Sequence, residues 1–122
     1  MNTYEEDFAD ACGCLAELRR GREIIRDLSP YGRDEQSKPS VSAFRNERVA
    51  LFGEAAPPGS SNDLVTGSGF YIRVVNRSGK DLRPPCHSWH VMVCGEILQV
   101  FPSNRIIVIE VDEKDWNLLN TG

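Results

Sequence analysis

Cys86, His87, His90 and Cys94 place four metal-ligand or nucleophile side chains in one short stretch, and Cys12-Gly13-Cys14 adds two thiols. A structural zinc site usually takes its ligands in close pairs on turns. The spacing argues against one here. The alternation from residue 88 to 94 reads as a strand, which separates His90 and Cys94 by about 13 Å at ~3.3 Å per residue. Cys12 and Cys14 fall two apart in a helical pattern and would point to different sides. Neither a metal nor another cofactor is expected.

Thiolate chemistry needs a cysteine beside a base or a positive group. Cys86 next to His87 is the natural candidate, with His90 reaching it only if the chain folds back. A thiol or metal-dependent enzyme around Cys86, His87 and His90 is thus one alternative reading. There is no serine elbow, no HExxH and no carboxylate pair with an identifiable cleft, so no catalytic residue is assigned. Glu110, Asp112, Glu113 and Asp115 read more simply as the acidic start of a helix.

Thr66-Gly67-Ser68-Gly69 is glycine-rich but leads into a strand. Phosphate-binding glycine loops precede a helix whose N-terminus faces the anion. Gly67 and Gly69 therefore suggest a turn or bulge. A shallow nucleotide or phosphate site built from Thr66, Gly67, Ser68 and Gly69 with Arg73, Arg77 or Arg83 is a second alternative.

The preferred reading is a non-enzymatic protein-binding domain. Aromatic residues and arginine dominate interface hot spots. His90, Met92, Gln99 and Phe101 form one face of an expected hairpin, and Tyr31 and Arg33 lie on an earlier loop. A small acidic chain of this kind fits an inhibitor, an immunity or anti-defence protein, or a phage or mobile-element accessory protein that occludes its partner. Self-association as a homodimer is also compatible.

The composition sets limits on these readings. One domain is expected for 122 residues. The 40% hydrophobic and 26% charged content suits a globular core rather than a disordered chain. A net charge of −4 makes nucleic acid unlikely as a general partner. No apolar run approaches the ~20 residues of a membrane span. Met1–Asp10 carries four acids and no apolar stretch, so no export leader is expected. Four cysteines then read as reduced thiols in the cytoplasm. The Asn76-Arg77-Ser78 sequon reads as turn chemistry.

The elements that must position these residues define an α+β fold. An N-terminal helix is expected to pack on a mainly antiparallel sheet of four to five strands, closed by a short C-terminal helix. The helix spans 1–28. Thr3 and Glu6 form a capping box, and Tyr4, Phe8, Ala11, Leu15, Leu18, Ile25 and Leu28 make an apolar stripe. Gly13 and Gly21 each cost about 1 kcal/mol there, and Gly21 is the expected point of a kink or division. Arg19, Arg20, Arg22 and Arg26 suit the negative end of the helix dipole, with Glu23 and Asp27 as local partners. Residues 29–66 are loop-rich, with a short strand at 48–52. Residues 67–111 form the sheet, with a strand at 70–75 and a meander after it.

In the meander, a tight turn is expected at Cys94-Gly95 or Gly95-Glu96. One face carries Trp89, Val91, Val93, Leu98 and Val100 and should be core. The other carries His90, Met92, Ile97, Gln99 and Phe101 and should be open. The 105–111 run is apolar on both faces, as in a central strand. Asp112 caps a helix over 112–119, with Val111 and Trp116 as its hydrophobic staple and Leu118 and Leu119 closing over the sheet.

Overall fold

The computed structural model describes residues 4–32, 41–55, 63–83 and 91–119. It is α+β. Two N-terminal helices, α1 (Tyr4–Ala11) and α2 (Leu15–Leu28), precede five strands: β1 (Arg48–Ala55), β2 (Leu64–Val65), β3 (Tyr71–Val75), β4 (Val91–Phe101) and β5 (Ile106–Glu110). Helix α3 (Glu113–Leu119) follows. The strands close into a barrel in the order β1-β2-β3-β5-β4. The β3–β5 pair is parallel and the others are antiparallel.

The single N-terminal helix expected from the apolar stripe is two helices, and the break is at Gly13 rather than Gly21. Gly13 takes a left-handed φ of 76°. The Cys14 N–H donates to the Ala9 carbonyl at 2.7 Å, and the Gly13 N–H donates to the Asp10 carbonyl at 3.0 Å. Those two bonds form the Schellman cap, which favours glycine because only glycine reaches positive φ without strain. Cys14 then becomes the residue before α2, and its carbonyl accepts from the Leu18 N–H at 2.9 Å. Arg22 ties the two helices together through Glu5 and Glu6 at 3.1 and 2.9 Å. Arg20 reaches Glu47 at 3.1 Å. Glu47 is the hydrogen-bonded partner of Arg20, with the expected local acids Glu23 and Asp27 adding a weaker electrostatic pull.

Gly21 has a different role. It lies buried in α2 against β1, where a Cβ would sit 2.5 Å from the Ala50 carbonyl oxygen and 2.5 Å from Leu51 Cδ2. The missing side chain is what lets the helix approach the strand.

The expected hairpin turn at Cys94–Gly95–Glu96 is absent: β4 runs unbroken through all three residues. Its first half pairs with β1, from Gly53↔Val91 to Arg48↔Glu96. Its second half pairs with β5, from Glu96↔Glu110 to Phe101↔Ile106. Gly95 serves close approach rather than a turn, since a Cβ there would lie 2.1 Å from the Glu110 carbonyl oxygen.

A bulge follows between Ile97 and Gln99. It shifts the parity of the strand, so the expected faces are only partly correct. Val91, Val93 and Val100 are in the barrel core as expected, but Ile97 joins them and Leu98 is 36% exposed. Met92, expected on the open face, is 0% exposed. It is covered by the helices, in a second cluster of Ala9, Cys14, Leu18, Ala50, Phe52, Met92 and Cys94. Trp89 and His90 lie outside the described residues. Both faces of this half of β4 are therefore buried, one toward the barrel and one toward the helical layer.

The barrel core joins Leu51, Leu64, Phe70, Ile72, Ile107 and Ile109 to Ile24, Ile25 and Leu28 of α2 and to Val111 and Trp116. Asp112 caps α3 as expected, its Oδ1 accepting the Lys114 and Asp115 N–H groups at 2.9 and 3.3 Å. Trp116 is buried and its indole N–H donates to the Arg83 carbonyl at 3.2 Å. Leu118 does not close over the sheet: it is 73% exposed. Among the described residues no helix is long and apolar enough to cross a membrane.

Replacing a helical glycine by alanine ordinarily stabilises by about 1 kcal/mol. Gly21→Ala is expected to do the reverse and destabilise by about 1–3 kcal/mol, the usual cost of overpacking. Urea unfolding measures the sign, and a more stable variant would contradict the close packing of α2 on β1.

Candidate functional site

Two places on the barrel gather groups that could act on another molecule. The first lies where the α1–α2 turn meets β4. The Schellman turn points Cys14 at the outer face of β4, where the strand alternation presents Cys94. Their sulfurs are 3.3 Å apart. Glu17, one turn along α2, accepts from the Cys94 thiol at 2.9 Å through Oε2. Its other oxygen accepts from Arg48 Nε. Arg48 Nη2 also lies 3.7 Å from the Cys94 sulfur.

These groups line a cleft of about 420 Å³ together with Cys12, Gly13, Asp115 and Leu118. A neighbouring cleft of about 810 Å³ shares Arg48, Cys94 and Asp115. It continues past Glu96 and Glu110 to Asn76, Arg77 and Ser78. Burial and the hydrogen bond to Glu17 push the Cys94 thiol well above its ordinary value. Burial also raises the Cys12 thiol, and nearby Cys14 adds to the shift. Both favour the neutral thiol over the nucleophilic thiolate.

The second place is the outer face of β3, β5 and β4. The register sets Tyr71, Ile106 and Phe101 in one row across the strands and Arg73, Val108 and Gln99 in the next. Tyr71 is 41% exposed, and Phe101, Ile106 and Val108 are partly exposed. The bulge adds Leu98 beside Gln99. Arg73 is held by Asp63 through Nε and Nη2 at 3.2 and 3.4 Å. The β5 run, apolar on both faces, does lie between two strands, but its outer side is partly open.

The residues singled out from the sequence distribute unevenly over these places. Gln99 and Phe101 stand together on the outer face, whereas Met92 is beneath the helices. Arg33, Cys86, His87 and His90 lie outside the described residues, as does the side chain of Tyr31. The Thr66–Gly69 stretch closes on itself. The Phe70 N–H donates to Thr66 Oγ1 at 3.0 Å, and the Thr66 N–H donates to the Phe70 carbonyl at 2.8 Å. Gly69 has a φ of 87°, and Arg105 stacks over Phe70 at 5.6 Å.

Arg77 belongs to the turn at the far end of β3, so strand β3 separates it from Thr66, Gly67, Ser68 and Gly69. In that turn Asn76 Oδ1 accepts from the Ser78 N–H, the Ser78 hydroxyl and the Lys80 N–H, which is the expected turn chemistry of the sequon. Among the described residues no buried side-chain nitrogen or oxygen lacks a hydrogen-bond partner. Sequence reasoning missed the Cys14–Glu17–Cys94–Arg48 group because it placed Cys12 and Cys14 inside a continuous helix. The signal was Gly13 between them, which marks a helix end. No family model, curated protein or solved structure matches the chain.

The raised Cys94 thiol has a consequence for stability. In the metal-free, reduced protein the folded thiol keeps its proton while the unfolded one loses it near its ordinary value of about 8.5–9. The contribution is therefore fully present below that pH and is lost as pH rises above it. Urea midpoints measured from about pH 7 to about pH 10 are expected to fall for the native chain and to fall less for Cys94→Ser.

Proposed function

We propose that this chain is a non-enzymatic binding module that docks another protein on the outer face of β3, β5 and β4. The observation that carries the reading is the row Tyr71–Ile106–Phe101 with Leu98 beside it, an aromatic and aliphatic strip on a sheet face. Burying such a strip supplies most of the affinity at protein interfaces, and tyrosine and arginine are enriched at their hot spots. Arg73 and Gln99 provide orienting hydrogen bonds at the next row. Arg73 is already half-committed to Asp63, which restrains its guanidinium and lowers the ordering cost of a contact.

Closed five-stranded barrels serve many ligands, so the architecture alone assigns none. The burial and Glu17 hydrogen bond that push the Cys94 thiol up, and the self-satisfied Thr66–Gly69 turn, support binding over thiol catalysis or phosphate capture. In its fuller form the reading is an inhibitor or immunity-type accessory protein of the cytoplasm, such as a phage or another mobile element carries, which works by occluding its partner.

Affinity capture from the cells that produce the protein tests the reading. The native chain is expected to retain a specific partner. Tyr71→Ala/Phe101→Ala should weaken retention at least tenfold, the effect of losing about 1.4 kcal/mol or more at a hot spot, while the melting temperature changes little. Arg20→Ala, on the helical layer, should bind as the native chain does. Undiminished retention by the double variant would refute this face as the interface. Retention of only the chain itself would make it a self-association surface.

A further inference from the structure

We propose that Cys14, Glu17 and Cys94 form a binding site for a thiophilic divalent cation of the zinc class, which clamps the α1–α2 turn onto β4. The three donor atoms lie within 4.8 Å of one another and come from two distant parts of the chain. Cys14 stands at the start of α2, Glu17 a turn further on, and Cys94 in β4. A tetrahedral zinc ion binds sulfur at about 2.3 Å and a carboxylate oxygen at about 2.0 Å, which sets sulfurs about 3.7 Å apart and sulfur and oxygen about 3.5 Å apart. The observed separations of 3.3 and 2.9 Å need to open by about 0.4 and about 0.6 Å, and the Cys14 sulfur and the Glu17 oxygen lie within 4.8 Å of each other.

The charges also match. Two thiolates and one carboxylate would exceed a divalent ion by one negative charge. The Arg48 guanidinium supplies the compensating positive charge. It already pairs with the Glu17 oxygen that does not accept from Cys94, and it lies 3.7 Å from the Cys94 sulfur. On binding, each thiol gives its proton to solvent and the metal takes its place. The three donors line a cleft to which Cys12 also contributes.

The same pair of sulfurs could instead close a disulfide. That would draw them to about 2.05 Å and leave the Glu17 oxygen without its donor. The third donor and its arginine counter-charge favour the metal.

Cobalt(II) titration of the reduced 122-residue chain tests the site, because thiolate ligation produces a charge-transfer band in the near ultraviolet. One equivalent is expected to bring the band to saturation, and zinc should displace it. Zinc should also raise the melting temperature. Cys14→Ser and Cys94→Ser should each lose most of the band. Cys14→Ser, at a helix start, remains informative if Cys94→Ser fails to fold. Cys86→Ser and His90→Ala should keep the band. The proposal is overturned if the native chain shows no thiolate band, if the band survives Cys14→Ser, or if it disappears with Cys86→Ser. A reductant-sensitive Cys14–Cys94 cross-link in a protein that shows no band would likewise overturn it and mark the pair as redox-active.

Discussion

The barrel depends on the contact between β4 and β5 at Gly95. There β4 leaves β1 and takes up β5, and the Glu110 backbone crosses so close that no side chain fits. An eleven-residue strand that pairs on both sides closes a five-stranded sheet that would otherwise have two open edges. The bulge at Leu98 completes the change of direction by shifting one residue out of register. Everything outward of β4 takes its orientation from these two irregularities. Met92 and Cys94 face the helices because they precede them, and Gln99 and Phe101 face outward because they follow.

The helical layer depends on two further glycines. Gly13 ends α1 and turns the chain so that Cys14 meets Cys94. Gly21 lets α2 sit directly on the Ala50 backbone and the Leu51 side chain. With α2 so close, Leu28 and Ile24 reach the barrel core, while Leu18 covers Ala50 and Met92. The ion pairs of Arg20 and Arg22 are exposed and screened by solvent, so they add little to stability. They set the relative orientation of turn, helices and β1 more than the stability.

The two candidate sites have different physical characters. The outer face of β3, β5 and β4 is a row of side chains fixed by sheet register, suited to a broad, shape-matched contact. The thiol group is compact, partly buried and charge-balanced, suited to an ion. A clamp at Cys14, Glu17 and Cys94 would hold the helices on one side of the barrel and so leave the docking face on the other side free.

Much of this architecture was legible in the sequence. Strands β1 and β3, expected at 48–52 and 70–75 and found at Arg48–Ala55 and Tyr71–Val75, the aliphatic strand after Arg105, the C-terminal helix and its Asp112 cap all follow from local patterns of β-branched residues, alternation and capping. The α+β class follows from their order. What the sequence could not reveal is what each glycine does. Gly13, Gly21 and Gly95 look alike in a linear pattern, yet one ends a helix, one admits a strand and one admits a neighbouring carbonyl. Their meaning depends on what passes nearby, which only the fold supplies.

The same reason hid the thiol group. Cys14 and Cys94 are eighty residues apart, and their meeting depends on a helix break and on a strand that runs through an expected turn. Local chemistry determined which elements form. The tertiary structure decided which faces of β4 are covered, because pairing partners and a single-residue bulge, not alternation alone, set where each side chain points.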